Sequence, residues 1–257
     1  MGRLELSHIT KVFSEGKRER KVLRDLSFTV DEGEFVSLLG PSGCGKSTLL
    51  SMIGGFQAPS AGEIFLDGKK LEGPSMERGY VFQNYMLFPW MSVQKNISYG
   101  MKFTGMSEEE KKKRLEELLE MSHLKEHRDK YPIQLSGGMQ QRAAVARALA
   151  GRPGILLMDE PLGAVDFQLR ELMQNELERI LQEARISVVM VTHDVPESVF
   201  LSDRVIVMST EGEILEEVPV SLSRSRNRES AEFEAICHHL SSLLRKAFLA
   251  KRKEKEA

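Results

Sequence analysis

Nine consecutive residues, Gly40-Pro41-Ser42-Gly43-Cys44-Gly45-Lys46-Ser47-Thr48, combine small side chains, a lysine and hydroxyls. Glycines at 40, 43 and 45 let successive backbone N–H groups turn toward one anion, and Lys46 is long enough to reach the outer phosphates. The Ser47 hydroxyl is an oxygen donor of the kind that ligates Mg²⁺. A second small-residue cradle, Ser136-Gly137-Gly138, lies in the run LSGGMQQR at 135–142, where a helix is expected to begin. A hydroxyl and helix-terminal N–H groups can bind an anion there as well. Hydrolysis of a held polyphosphate also asks for a metal ligand and for a base that activates water. The run ILLMDE at 155–160 offers both: four apolar residues, then Asp159 and Glu160 where a buried strand emerges. An acidic pair commonly ends a strand for no catalytic reason. Here a glycine loop lies upstream and a proline follows directly, which favours chemistry.

The elements that must position these groups are legible around them. FVSLLG at 35–40 is almost continuously apolar, as a strand covered on both faces is, and it runs into the glycine loop. STLLSMIGG then reads as a helix closed by Gly54 and Gly55. Strand, glycine loop and helix is the context that makes a phosphate-loop match specific. LELSHITKVF at 4–13 and LSFTVDEGE at 26–34 alternate and read as antiparallel strands, with EGKRERK between them as an exposed hairpin loop. GEIFLDGK at 62–69 reads as a strand ending in an Asp-Gly turn. Residues 84–150 are mostly helical in pattern, with Ser107 and Glu110 as a capping box and Leu115, Leu118 and Leu119 on one stripe. Further strands are expected at 154–160, 187–193 and 204–209. A helix from about Asp166 to Ala184 turns Leu172, Met173, Leu177, Ile180 and Leu181 inward. Alternating strands and helices predict an α/β fold with a parallel sheet.

The pair GPSGCGKST and LSGGMQQR resembles the ATP-binding subunits of ABC transporters, and the likeness runs from about residue 4 to about residue 220. The resemblance implies a RecA-like P-loop NTPase core, an antiparallel β subdomain and an inserted α-helical subdomain at about 84–150. It implies ATP as substrate with Mg²⁺, the metal held by Ser47, Gln83 and Asp159, Asp159 through a bound water. Glu160 is then the general base. His193, ending a strand in VTHD, holds the γ-phosphate and the water, and Gln83, in VFQN, touches metal and water and hinges the helical subdomain. Phe13 falls where the family places an aromatic that stacks on adenine, although a core strand aromatic is the competing reading. Ser136, Gly137 and Gly138, with Asp166 in GAVD at 163–166, are implied to act on ATP held by the other subunit of a dimer. Val165 stands where the family more often has Leu.

Composition bounds the rest. A net charge of −2 gives no global basic footprint for nucleic acid. Two cysteines, Cys44 and Cys237, make no disulfide framework, and Cys44 reads as a small residue without a redox role. No apolar run approaches the ~20 residues of a membrane-spanning helix, and the N-terminus shows no signal-peptide pattern. The chain therefore reads as one kept in the cytosol, and the resemblance implies that it sits on the cytoplasmic face of the membrane, bound peripherally.

The stretch 84–106 clusters Met86, Leu87, Phe88, Trp90 and Met91. Such aromatic and Met enrichment suits an interface. In the resembled family this region receives the membrane permease; the alternative is that these side chains form the subdomain's own core. The run Phe88-Pro89-Trp90 resembles the importers of nitrate, taurine and aliphatic sulfonates, which implies an extracytoplasmic solute-binding protein acting upstream. A soluble ABC-type ATPase without a transporter, or an exporter subunit, is the rival reading. After about residue 220 a polar linker, SLSRSRNRES, leads to a helical extension to residue 257. There Phe233, Ile236, Leu240, Leu243, Leu244 and Phe248 recur at helical spacing. That face is expected to dock on its own domain rather than on a partner copy or a membrane.

Overall fold

In the computed structural model, residues 2–16, 18–163 and 167–256 are described, apart from the side chains of 15, 18, 167–169 and 249–256. In chain order the elements are β1 (Leu4–Glu15), β2 (Arg18–Val30), β3 (Phe35–Leu39), α1 (Lys46–Ile53), β4 (Ala61–Leu66), β5 (Lys69–Lys70), β6 (Arg78–Val81), α2 (Val93–Tyr99), α3 (Glu108–Met121), α4 (Gly137–Ala150), β7 (Ile155–Asp159), α5 (Phe167–Ala184), β8 (Ser187–Thr192), α6 (Val195–Leu201), β9 (Arg204–Met208), β10 (Ile214–Pro219) and α7 (Ala231–Glu256). They form two units, Met1–Pro74 with Ser187–Ala257, and Ser75–Ile186.

The first unit holds two groups of strands. β2, β1, β4 and β5 lie side by side, each antiparallel to its neighbour. β3 runs parallel to both β8 and β9, and β10 closes that edge antiparallel to β9. All five residues of β3 and all six of β8 are buried, which is why their sequences are apolar without alternation. α1 begins directly after the glycine loop. Gly45 has φ +104°, and a Cβ there would stand 2.6 Å from Leu23 Cδ2, so the entry to this helix admits only glycine.

In the second unit β6 and β7 pair in parallel, with Tyr80 opposite Leu157. α4 packs on β6, α2, α3 and α5. The capping box starting α3 is formed: Ser107 Oγ accepts from Glu110 N at 3.3 Å, and Glu110 Oε2 accepts from Ser107 N at 2.7 Å.

Four sequence expectations need correction. The charged run 15–21 is not a long hairpin loop: β1 continues to Glu15 and β2 starts at Arg18, with Glu15 paired to Arg18. Exposed strands of this kind need no apolar alternation, so the pattern hid them. β10 was absent from the expected strands because ILEEVP sets two adjacent glutamates and a proline among its apolar residues. Leu172 is 63% exposed, whereas Met173, Leu177, Ile180 and Leu181 are buried. The inward stripe of α5 also contains Gln174 and Glu178, both buried, and Leu172 sits one position off it, about 100° around the helix. On α7, Phe233, Leu240 and Leu243 are buried, but Phe248 is exposed. The helix docks on α6 and β9 of its own unit, as the apolar face predicted.

Candidate functional site

The phosphate-loop residues of the first unit are built around Lys46. Its ammonium donates to the carbonyls of Gly40 at 2.7 Å and Pro41 at 3.0 Å, and the side chain is buried. Cys44 N donates to Pro41 O at 3.3 Å, and Leu49 N to Gly45 O at 2.8 Å, so the turn passes straight into α1. Cys44 is buried, and a Cβ at Gly40 would lie 3.0 Å from its sulfur and from Met208 O. Cys44 therefore serves packing under the loop. Ser47 opens the first turn of α1 and is exposed. Phe13 lies on β1 opposite Arg20 and is 38% exposed, so it is not a core aromatic. Lys11 Nζ stands 5.1 Å from its ring centroid and donates to Ala58 O at 2.6 Å.

His193 follows β8 and is exposed. The backbone on either side of it is fixed by polar neighbours. Asp194 N donates to Thr192 Oγ1 at 3.1 Å, the Thr192 hydroxyl bonds the Glu197 carboxylate, and Glu197 N donates to Asp194 Oδ1 at 2.8 Å. Asp194 is thereby the N-cap of α6.

In the second unit, Asp159 is the last residue of β7 and Glu160 the next, both half-buried. Glu160 has φ +44°, a left-handed conformation rare for a side-chain-bearing residue, and its carbonyl accepts from Gly163 N at 3.0 Å. Gln83 Nε2 donates to Glu160 Oε2 at 3.2 Å. Burial and the charge of Asp159 push the Tyr80 phenol well above its ordinary pKa. The Ser136 side chain caps α4, accepting from Met139 N at 3.3 Å, and Ser136 and Gly137 are exposed. Gln141, buried on α4, donates to Pro161 O at 3.3 Å and so ties that helix to the turn after Glu160. Asp166 lies outside the described residues.

The segment 84–92 is a clamped loop. Asn96, fully buried on α2, accepts from Phe88 N at 2.8 Å and donates to the carbonyls of Phe88, Met91 and Ser92 at 3.1, 3.0 and 3.2 Å. Arg147 of α4 donates to Tyr85 O at 2.9 Å and Met86 O at 2.7 Å, where both residues have positive φ. Phe88 packs edge-on to Tyr99 with centroids 4.7 Å apart. Trp90 is 69% exposed and Phe103 68%, so these rings are displayed on an ordered base instead of forming a core.

The ABC transporter family model matches residues 23–163, more than half of the chain, from within β2 to the turn after Glu160. The chain belongs to the ABC transporter family. The nitrate import ATP-binding protein NrtD of Synechocystis sp. is 43% identical over 94% of this chain and 95% of its own length. The aliphatic sulfonates import ATP-binding protein SsuB of Bacillus licheniformis is 41% identical over 88% of each chain. A solved structure titled as the dimeric post-hydrolysis state of the ATP-binding cassette MJ0796 bound to ADP and Pi superposes with a TM-score of 0.72. It is 34% identical and covers 86% of this chain and 100% of that one.

This ABC ATPase thus has the fold its sequence implies, a P-loop NTPase core with an antiparallel β subdomain and an inserted helical subdomain. Like the ATP-binding chains it matches, it is an ATPase coupled to transport. Among its described residues no helix is long and apolar enough to cross a membrane. The donor chemistry suits Mg²⁺: a serine hydroxyl at 47 in the first unit, and a carboxylate at 159 and an amide at 83 in the second, are all hard oxygen ligands. Sequence reasoning missed Thr192, Glu197, Gln141, Asn96 and Arg147. Gln141, Asn96 and Arg147 act through backbone groups, and the Thr192 hydroxyl and Glu197 carboxylate through each other; only the Asp194-to-Glu197 spacing, a capping pattern, was a readable signal.

Proposed function

We propose that this chain is the ATP-hydrolysing subunit of an importer for a small solute such as nitrate, a sulfonate or taurine, working as a dimer with ATP between two copies. Lys46 and the N–H groups of the loop 40–48 hold the phosphates, and Phe13 stacks on adenine. Glu160 takes the proton from the attacking water, with Gln83 orienting its carboxylate and His193 holding the γ-phosphate. Mg²⁺, when bound through Ser47, Gln83 and Asp159, would neutralise charge on the phosphate oxygens. Ser136, Gly137, Gly138 and Asp166 serve the ATP of the second copy. On this reading residues 1–220 are the ATP-binding domain and 221–257 an extension to it.

The displayed ring of Trp90 on its clamped loop carries the transporter part of this reading. An exposed tryptophan on a rigid base has the character of an interface anchor. We assign residues 84–106 to a separate membrane permease, which places the protein at the cytoplasmic face. An extracytoplasmic solute-binding protein is then an indirect partner. The names of the nitrate and sulfonate relatives support the solute class. A soluble ATPase without a transporter, or an exporter subunit, would use the same hydrolytic residues. The test is recruitment of the purified chain to membrane vesicles prepared from its own source cells. Binding that is lost on Trp90→Ala supports the importer subunit, and absence of binding by the unaltered chain would overturn it. ATPase activity rising more than linearly with protein concentration tests the dimer; strict proportionality would contradict it.

A further inference from the structure

His193 stands directly before Asp194, the N-cap of α6, a helix of seven residues. Helices this short have little stability of their own, so their partners decide where they lie. The N-terminal end of α6 is fixed locally by Thr192, Asp194 and Glu197. Its C-terminal carbonyls lack intrahelical donors, as in any helix. Here the donors come from the polar segment between β10 and α7. Arg226 Nη1 donates to Val199 O at 2.6 Å and Phe200 O at 2.9 Å, and Arg224 Nη1 to Leu201 O at 2.6 Å. The Arg226 guanidinium is wholly buried, with Nη2 also reaching Val220 O at 3.4 Å and Nε reaching Leu222 O at 3.4 Å. Arg228 lies 3.5 Å from the centroid of the Phe200 ring. α7 then packs along α6 with Phe233, Leu240 and Leu243 buried, and its Cys237 is close enough to feel the charge of Asp194.

Burying a guanidinium is costly unless its N–H groups are used, and a surface lysine near the C-terminus of α6 would satisfy the helix dipole at less cost. A buried arginine gives something a surface charge does not: a fixed distance between α6 and the chain that follows β10. We propose that Arg226 is a positioning residue for His193, holding α6 so that the C-terminal segment sets the rate of hydrolysis and not the affinity for ATP. This rests on the reading of His193 given above.

The test compares the full-length chain with Arg226→Met and Arg226→Lys. Three quantities are measured: turnover, affinity for a fluorescent ATP analogue, and the ¹H–¹³C signal of the His193 ring, assigned by its loss in His193→Ala. Arg226→Met should lower turnover roughly tenfold, since misplacement by ~1 Å can cost up to ~10²-fold. ATP affinity should stay within about twofold, because the phosphate-holding residues are untouched. The His193 signal should shift or broaden, and Arg226→Lys should fall between the two. If Arg226→Met does not fold, Arg226→Lys carries the same criteria with a smaller loss. Unchanged turnover and an unmoved His193 signal, with only the melting temperature lowered, would reduce Arg226 to a structural cap and overturn the proposal. Normal turnover in His193→Ala would remove the role of His193 itself, and the proposal with it. An inactive His193→Ala beside unaffected Arg226 variants would sink the proposal alone.

Discussion

Gln83 and Glu160 are joined by a hydrogen bond of 3.2 Å from the amide Nε2 to the carboxylate Oε2. The two residues follow the paired strands β6 and β7, so the parallel register that sets Val81 against Met158 delivers both side chains to one place. Glu160 reaches it with a left-handed φ, a conformation that costs on the order of 1 kcal/mol or more in an L-residue.

Glu160→Gln should therefore bind ATP normally and lose turnover by ~10²–10⁴-fold, the usual size of a general-base contribution. The shape of the side chain is kept and only the basic oxygen is lost. A chromatographic shift to a dimer in ATP and Mg²⁺ should accompany the loss. Near-normal phosphate release would place the base elsewhere.

Lys46→Ala should weaken nucleotide binding itself. The ammonium is held along the loop by Gly40 and Pro41 carbonyls, and its removal takes away the single buried cation of that turn among the described residues. Loss of a charge-assisted contact is worth ~1.5–3 kcal/mol, or roughly 10- to 150-fold in affinity. Titration with a fluorescent ATP analogue measures it, and an unchanged dissociation constant would contradict the assigned role.

How much of this was legible depended on whether the controlling interactions were local. The glycine loop, the buried strands β3, β7 and β8, and the Ser107–Glu110 capping box each declare themselves within a few residues. The stripe of α5 was legible except at Leu172, because the polar residues Gln174 and Glu178 share its inner face and blur its edge. β10 and the strand ends at 15–21 were hidden because one-sided or exposed strands need few apolar residues. The arginines at 224, 226 and 228 looked like a solvated linker. Arg224 and Arg226 reach backbone carbonyls some 25 residues away and Arg228 the Phe200 ring, and no spacing rule reports contacts of that kind. Proximity of Gln83 to Glu160 could not be read from composition either; it follows from strand register.

Cys237 should react slowly with thiol reagents in the native protein. Burial, helped by the charges of Asp194 and Glu234, pushes its pKa up to about 11. At pH 8 only ~0.1% is then thiolate, the nucleophilic form, against roughly a quarter for an unperturbed thiol. Raising the pH from 7 to 9 should speed native-state labelling by about 10²-fold without a plateau. Denaturant should abolish the protection. Labelling of the native protein at the rate of a free thiol would mean that α7 does not stay docked.

Trp90→Ala should leave the melting temperature within about a degree or two of normal, since an exposed surface side chain contributes little to folding. Hydrolysis by the isolated subunit should stay within a few-fold of normal. Assembly with the permease should fall by ~2 kcal/mol or more, the scale of a buried aromatic anchor, which is on the order of 30-fold in affinity. A variant that unfolds would return this ring to the subdomain's core.

Truncation after Val220 should lower stability while leaving every ATP-site residue in the chain. It removes Phe233, Leu240 and Leu243, all buried, and the arginine caps of α6. Each large apolar side chain contributes ~1.5–3 kcal/mol of gross burial, offset in part by the entropy of ordering α7. A net loss of ~2–4 kcal/mol would drop the melting temperature by roughly 4–16 °C in a chain of this size. The exposed ends of β9 and α6 should also make the shortened protein prone to associate, visible as a rise in apparent mass. A truncated chain that melts at the same temperature would show that α7 rests on the domain without holding it. The buried stripe and the three arginine contacts argue for the stabilising outcome.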